Sequence, residues 1–282
     1  MNFKLKIFLK IVLICFLIIS LILLYSYFIG NSGLKVKEYK IVNEKIPNEF
    51  YGLKIVHISD IHFGKNFNEK KLGKVVSKIN EINPDIVVLT GDLVNGENVS
   101  KENEESLKKV LSKIKSNLGK YAITGNHDYK YKNWESVIKD AGFINLNNTY
   151  KVIYGHNSKV LISGISTNYF EDKPVNEKLK DVNDYLQKTE VNYKILLIHE
   201  PDYIDNINDS YDLILAGHSH NGQITIPLIG ALYTPSGSKK YYKNYYKINN
   251  SDLYISSGLG TSVIPLRLFN KPSFNFYRLV NK

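Results

Sequence analysis

Three regimes of hydrophobic patterning follow one another along the chain. Residues 11–29 carry no charge over nineteen positions and are rich in Ile and Leu. As a helix this run would reach about 28 Å at ~1.5 Å per residue, close to the ~30 Å hydrocarbon core of a bilayer. A core helix would keep a polar face, and this run has none. A cleaved signal peptide is the rival reading. Against it, the apolar run is long and no Ala-x-Ala site follows, Gly30-Asn31-Ser32 being the nearest substitute. Cys15 follows Leu13 and Ile14 with no small residue beside it, which argues against a lipoprotein cleavage site. The pattern predicts a retained single-pass anchor over 1–29, a polar stalk over 30–50 and one folded domain over 51–282. That domain, about 230 residues, is long enough to bury a sizeable core.

Beyond residue 50 the period alternates between that of strands and that of amphipathic helices. A strand is predicted over 54–59, then a helix carrying Leu72, Val75, Val76, Ile79 and Ile82 until Pro84 stops it. An apolar strand over 85–90 closes on Gly91-Asp92, and a second helical stripe runs through Leu107, Val110, Leu111, Ile114 and Leu118. Strands over 121–124, 160–163, 194–198 and 212–216 and a helix over 175–186 follow. The last sixty residues read as largely β, with Tyr- and Ser-rich strands. Strands and helices in alternation predict an α/β (α+β) domain.

Composition narrows the function classes. Hydrophobic residues at 43% and charged residues at 23% exclude general disorder, and a single cysteine excludes a disulfide scaffold. The net charge is +10, or +7 for residues 30–282 once Lys4, Lys6 and Lys10 are set aside. A basic domain suits nucleic acid or an anionic membrane surface. Arginine, however, occurs only at 267 and 278, and nucleic-acid recognition favours the guanidinium fork, so nucleic acid is not the expected partner. Lys4, Lys6 and Lys10 before the span nearly balance Lys35, Lys37 and Lys40 after it. A short basic N-terminus before a first span usually stays inside, so the domain is expected outside the cytoplasm, single-pass in the cell membrane. A domain without Cys or Met fits that location. Residues 239–247 mix Lys with Tyr and read as an exposed β-hairpin of ordinary composition, with contact to a lipid surface as the alternative.

Candidate chemistry sits just after the strands: Asp60 and His62, Asp92, Asn126 and His127, His199, then His218 and His220. In open α/β sheets the carboxyl ends of strands face one crevice. Five strand ends therefore deliver Asp, Asn and His to one place. Imidazole nitrogen with carboxylate and amide oxygen suits Mn, Fe or Zn, and no thiolate is at hand. Each piece alone is weak, since a lone Gly-Asp is usually a turn; the ordered set is what carries the reading. His57, inside its strand, is expected in the core, and His156 at a solvated loop tip.

The series Asp60-x-His62, Gly91-Asp92, Gly125-Asn126-His127-Asp128, His199 and Gly217-His218-Ser219-His220 resembles the calcineurin-like metallophosphoesterase superfamily, from about Tyr51 to the C-terminus. The segments His199-Glu200-Pro201-Asp202, Gly230-Ala231-Leu232-Tyr233 and Gly258-Leu259-Gly260-Thr261-Ser262 resemble its membrane-associated bacterial branch, which includes YkuE- and YaeI-like phosphodiesterases and relatives of UDP-2,3-diacylglucosamine hydrolases. Asn221 departs from that branch, which usually has glycine there. The resemblance implies a four-layer αββα sandwich and two divalent metal ions. Asp60, His62, Asp92 and His220 would hold one; Asp92, Asn126, His199 and His218 the other. A hydroxide bridging metals about 3.5–4 Å apart would attack a phosphodiester or pyrophosphate in line. His127 would protonate the leaving oxygen, and Asp128 would orient His127. The substrate would be a phosphoester, lipid-linked ones included, met by a monomer; a phosphomonoesterase and a non-catalytic binding module are the alternatives.

Overall fold

The computed structural model describes residues 2–64, 66–97, 99–167, 173–207 and 211–282. The N-terminal helix α1 (Phe3–Leu24) is capped by the Asn2 side chain and continues as a π-helical turn, Tyr25–Gly30. Together they form a helix long and apolar enough to cross a bilayer, with no residue of α1 buried. Gly30 is where it meets the domain: a Cβ there would lie 1.8 Å from the Arg267 carbonyl oxygen.

The strands β1 (Lys35–Val42), β2 (Lys54–Ile58), β3 (Ile86–Thr90), β4 (Gly119–Ile123) and β5 (Ile144–Asn145) belong to the first sheet. Between them lie helices α2 (Glu69–Ile82), α3 (Lys101–Leu111) and α4 (Trp134–Asp140). The second sheet is built from β6 (Thr149–Tyr154), β7 (Lys159–Gly164), β8 (Tyr193–Leu197) and β9 (Leu213–Ala216). Short helices α5 (Val175–Lys178) and α6 (Lys180–Leu186) interrupt it. A small hairpin, β10 (Thr225–Ile226) and β11 (Gly230–Ala231), stands apart. Strands β12 (Tyr245–Ile248) and β13 (Ser251–Ile255) complete the second sheet, and β14 (Ser273–Val280) returns to the first. The orders are β1-β14-β2-β3-β4-β5 and β12-β13-β9-β8-β7-β6.

Period-two alternation explains the layering. In β3, Val87 and Leu89 face Leu72, Val75, Leu107 and Val137 of the outer helices, while Ile86 and Val88 face the second sheet. The second sheet turns Val160, Ile195 and Leu213 inward and Leu161, Leu196 and Ile214 toward α5 and α6. Both sheets are thus covered on both faces, which is why their central strands read as continuous apolar runs. The result is the four-layer αββα sandwich.

Three expectations need correction. Residues 30–50 are not a stalk: β1 pairs in parallel with β14 from Lys35↔Ser273 to Val42↔Val280, and Ile41, Ile46 and Phe50 enter the core between the sheets. The lysines that make this stretch look solvated are the charged dress of an edge strand. The helix over 175–186 breaks at Leu179 (φ −94°, ψ 7°), whose side chain is buried at the break. Residues 239–247 are not a free hairpin. The Asp202 carboxylate accepts from the amides of Lys239, Lys240 and Tyr241, Lys240 pairs with Asp205 at 2.8 Å, and Tyr241 is buried.

Candidate metal centre

Parallel strands of both sheets end at one place. β2, β3 and β4 deliver Asp60–His62, Asp92 and Asn126–Asp128; β8 and β9 deliver His199, His218 and His220. The turns are tight. Asp60, His62, Asp92, His218 and His220 all take φ between 45° and 67°, a left-handed backbone that returns the chain sharply after each strand. Asn221 (φ 53°) shares this conformation, which glycine takes freely and asparagine tolerates better than most side chains. Gly125 and Gly217 permit close approach: a Cβ would lie 2.3 Å from Asp92 Oδ1 at the first and 2.0 Å from Ser59 Oγ at the second.

The side chains converge in three overlapping groups, Asp60-His62-His220, His62-Asp92-His127 and Asp92-His199-His218, with donor atoms within 4.8 Å of one another. Asp92 Oδ2 lies 3.3 Å from His199 Nε2 and 3.6 Å from His62 Nε2, and Asp60 Oδ1 lies 3.5 Å from His220 Nε2. Asn126 Oδ1 is 3.2 Å from His199 Nε2. Backbone carbonyls orient two rings. His199 Nδ1–H donates to Thr90 O and His218 Nε2–H to Ser236 O, each at 2.6 Å, which leaves His199 Nε2 and His218 Nδ1 for the other groups of the site. Burial opposes a charge on His199, but Asp92 outweighs it and holds that ring protonated until a cation takes the proton's place.

The donor set fits divalent cations. Two buried carboxylates beside several buried imidazoles are costly unless cations balance them. His62 Nε2 and His220 Nε2 face each other at 3.1 Å, and His62 Nδ1 is buried with no well-formed hydrogen bond among the described residues. The polar groups of the site therefore do not satisfy one another. Burial lowers His62 to about 4, and burial with His62 and Arg267 holds His220 well below its usual value, keeping both rings neutral as ligation requires. Burial pushes the Asp60 carboxyl up to about 7. Burial also opposes ionisation of Asp92, yet His199, His62 and His127 outweigh it and hold that carboxyl well below the usual range.

The family model for calcineurin-like phosphoesterase matches residues 53–222. The chain belongs to this family. It is a metal-dependent phosphoesterase, a hydrolase. It is similar to the metallophosphoesterase YkuE of Bacillus subtilis, with 30% identity over 90% of this chain and 88% of that one. It is also similar to the Danio rerio transmembrane protein with metallophosphoesterase domain, at 29% over 84% of this chain but only 55% of that one. Among solved structures, the NAD nucleotidase of Haemophilus influenzae aligns with a TM-score of 0.51 at 16% identity, over 74% of this chain and 45% of that one, a likeness of fold alone.

Within this phosphoesterase, Asp128 differs from its expected role. Its carboxylate does not meet His127; it accepts from the amides of Gly125, Asp92 and Leu93 at 2.9 Å each, and from Val94 at 3.4 Å. Burial and Asp92 push it up to about 7, against amide donors that favour the anion. Asp128 positions the turn that carries Asp92. His127 is half-buried, its ring edge-on to His62 at 5.0 Å between centroids, and its amide donates to Asp92 Oδ1 at 2.8 Å.

Sequence reasoning missed Arg267 and Asn270. Arg267 is fully buried and donates to the carbonyls of Ser257, Gly258, Gly260 and Asn270, with Nη2 3.4 Å from His220 Nδ1. Asn270 Nδ2 donates to His220 O. One signal was available: one of only two arginines in a lysine-rich chain marks a place where the planar fork is needed.

Proposed function

We propose that this phosphoesterase is a membrane-anchored monomer that holds two divalent cations, Mn, Fe or Zn. It would cleave phosphodiester or pyrophosphate bonds outside the cytoplasm, on substrates that include lipid-linked ones. The observation that carries this reading is the shared position of Asp92, in contact with His62 on one side and His199 on the other. Asp60, His62, Asp92 and His220 would hold the first ion; Asp92, Asn126, His199 and His218 the second. When bound, such ions neutralise phosphoryl charge and make a water molecule acidic enough to ionise near neutral pH.

The chain's own groups do the rest. Thr90 O and Ser236 O hold the His199 and His218 rings so that His199 Nε2 and His218 Nδ1 are the nitrogens that would face the ions. Asp128 fixes the backbone on which Asp92 sits. His127 is the motif imidazole that is not fully buried, and we assign it delivery of a proton to the leaving oxygen.

The test is elemental analysis of the purified full chain, with assays on mono- and diester substrates in the presence and absence of a chelator. Two ions per chain and chelator-sensitive diesterase activity are expected. A metal-free chain that hydrolyses diesters in chelator would overturn the reading, and a strong preference for monoesters would replace diesterase by monoesterase. Protease added to intact protoplasts should digest residues 30–282 and leave the anchor; complete protection until lysis would place the domain inside.

A further inference from the structure

The N-terminal helix does not lead into a free linker. Its last turn is seated on the domain: Arg267 N–H donates to Ser26 O at 3.1 Å, Asn31 Nδ2 reaches Pro265 O at 3.5 Å, and Gly30 lies against the Arg267 carbonyl. The loop it sits on, residues 261–269, exposes Val263 (84%), Ile264 (51%) and Phe269 (68%). Beside that loop, the β10–β11 hairpin exposes Leu228 (109%), Ile229 (73%) and Leu232 (59%). Hydrogen bonds tie hairpin to loop: Thr225 N–H to Leu268 O, Leu268 N–H to Gln223 O, and Gln223 Nε2 to the carbonyls of Ile264 and Leu266. Leu228 holds a left-handed backbone (φ 70°) with its side chain in the open. Large aliphatic tips grouped in this way are not ordinary surface.

We infer that the bilayer which receives the helix also receives these two tips, so that the domain lies on the membrane instead of hanging beneath it. This rests on the reading of residues 3–30 as a membrane span. Continuity identifies the occupant. The loop is hydrogen-bonded to the last turn of a helix that is apolar on every side, and the hairpin is hydrogen-bonded to the loop, so what surrounds that turn also meets the tips. The flanking groups suit headgroup depth. Tyr27 and Phe28 line a cavity of about 630 Å³ with Lys71, Lys74 and Thr261, and the Lys239 ammonium lies over the Tyr233 ring, 5.0 Å from its centroid. The same loops lead directly from the metal centre. His220 precedes the hairpin by a few residues, and Gly260 N–H donates to Asp60 O at 2.8 Å. Seated this way, the site stands beside the headgroup layer, and the phosphoesters nearest to it are those carried on lipids.

The experiment uses the full chain reconstituted in phosphatidylcholine–phosphatidylglycerol vesicles, with a bimane fluorophore on one cysteine at a time. Ile229→Cys and Val263→Cys, each with Cys15→Ser, report on the tips. Tyr154→Cys, also with Cys15→Ser, reports on an exposed site at the far ends of the strands, and native Cys15 reports on the span. Lipids bearing a nitroxide near the headgroup should quench the probes at 229 and 263 and leave 154 unchanged, while aqueous iodide does the reverse; lipids bearing the nitroxide deep in the acyl chain should quench Cys15. Lipid quenching at Cys15 with iodide quenching at both tips would overturn the docking and leave the span intact. No lipid quenching at any position would overturn both. Tips shielded from both quenchers would mean that a second protein surface covers them, which also overturns the proposal.

Discussion

The metal centre has two walls, and they are held by opposite charges. On the wall formed by the first sheet, the buried carboxylate of Asp128 gathers backbone N–H groups from the turns after β3 and β4. On the wall formed by the second sheet, the buried guanidinium of Arg267 gathers backbone C=O groups from the turn after β13 and from its own loop. Each hub is a charge solvated by peptide dipoles instead of a counter-ion, and each makes irregular backbone rigid where no ladder continues. They differ in reach. Asp128 serves only the site, whereas Arg267 approaches His220 with its side chain and the N-terminal helix with its own backbone. The second wall therefore joins the site to the N-terminal helix, and the first does not.

The largest effect should come from the residue both walls share. Asp92→Asn is expected to lose at least one metal ion per chain by elemental analysis and to bring hydrolysis to background; retention of both ions with normal rates would show that the two walls do not meet at this carboxylate. His127→Ala tests the mouth of the site. It should keep its metals and slow esters with poor leaving groups by ~10²–10⁴, while activated aryl esters lose much less. Equal losses on both kinds of ester would remove the proton-donor role.

The hubs themselves can be set against each other. Arg267→Met leaves several carbonyls without a donor and should destabilise by about 3–5 kcal/mol in urea unfolding. It should also raise protease cleavage near residues 25–34, because the seat of the helix is lost. Asp128→Asn keeps one acceptor oxygen and should cost about 1–3 kcal/mol, with metal affinity lowered ~10–100-fold and no change in cleavage near the anchor. If Asp128→Asn loosened the anchor as much as Arg267→Met, the division of labour between the walls would be wrong.

The same contrast explains what could be read in the sequence. The first wall was legible because Asp60-x-His62, Gly91-Asp92 and Gly125-Asn126-His127-Asp128 each follow an apolar strand directly, and its hub, Asp128, stands in the last of these motifs, although with another role than the one expected. The second wall was half legible. His199, His218 and His220 follow strands and announce themselves, but Arg267 acts from a loop some fifty residues beyond His220 and has no local pattern. β1 was hidden for a related reason. An edge strand shows lysines to solvent and has only Ile41 and its neighbours to betray its inner face. Its partner, β14, lies at the other end of the chain, so no local signal ties the two. The apolar tips at 228–232 and 263–269 were short enough to pass for turn residues inside a β-rich tail.

Beneath the walls lies a third polar hub, and it is neutral. His57, on the inner face of β2, is wholly buried between the sheets, with Nε2 2.8 Å from Thr90 Oγ1 and Nδ1 3.3 Å from Tyr277 Oη. No carboxylate is among these hydrogen-bond partners, and burial lowers its pKa from 6.5 to about 3. The unfolded chain binds a proton near pH 6.5 that the folded chain refuses until about pH 3. The contribution is therefore complete above pH 6.5 and is lost as pH falls through that window, by up to about 1.4 kcal/mol per pH unit. His57→Gln keeps a donor and an acceptor but cannot titrate. In urea titrations at pH 7 and pH 5 the wild-type chain should lose more stability than the variant, by up to about 2 kcal/mol. Equal losses would mean that His57 is already protonated in the fold, and that the floor of the site is a third charged hub like the two above it.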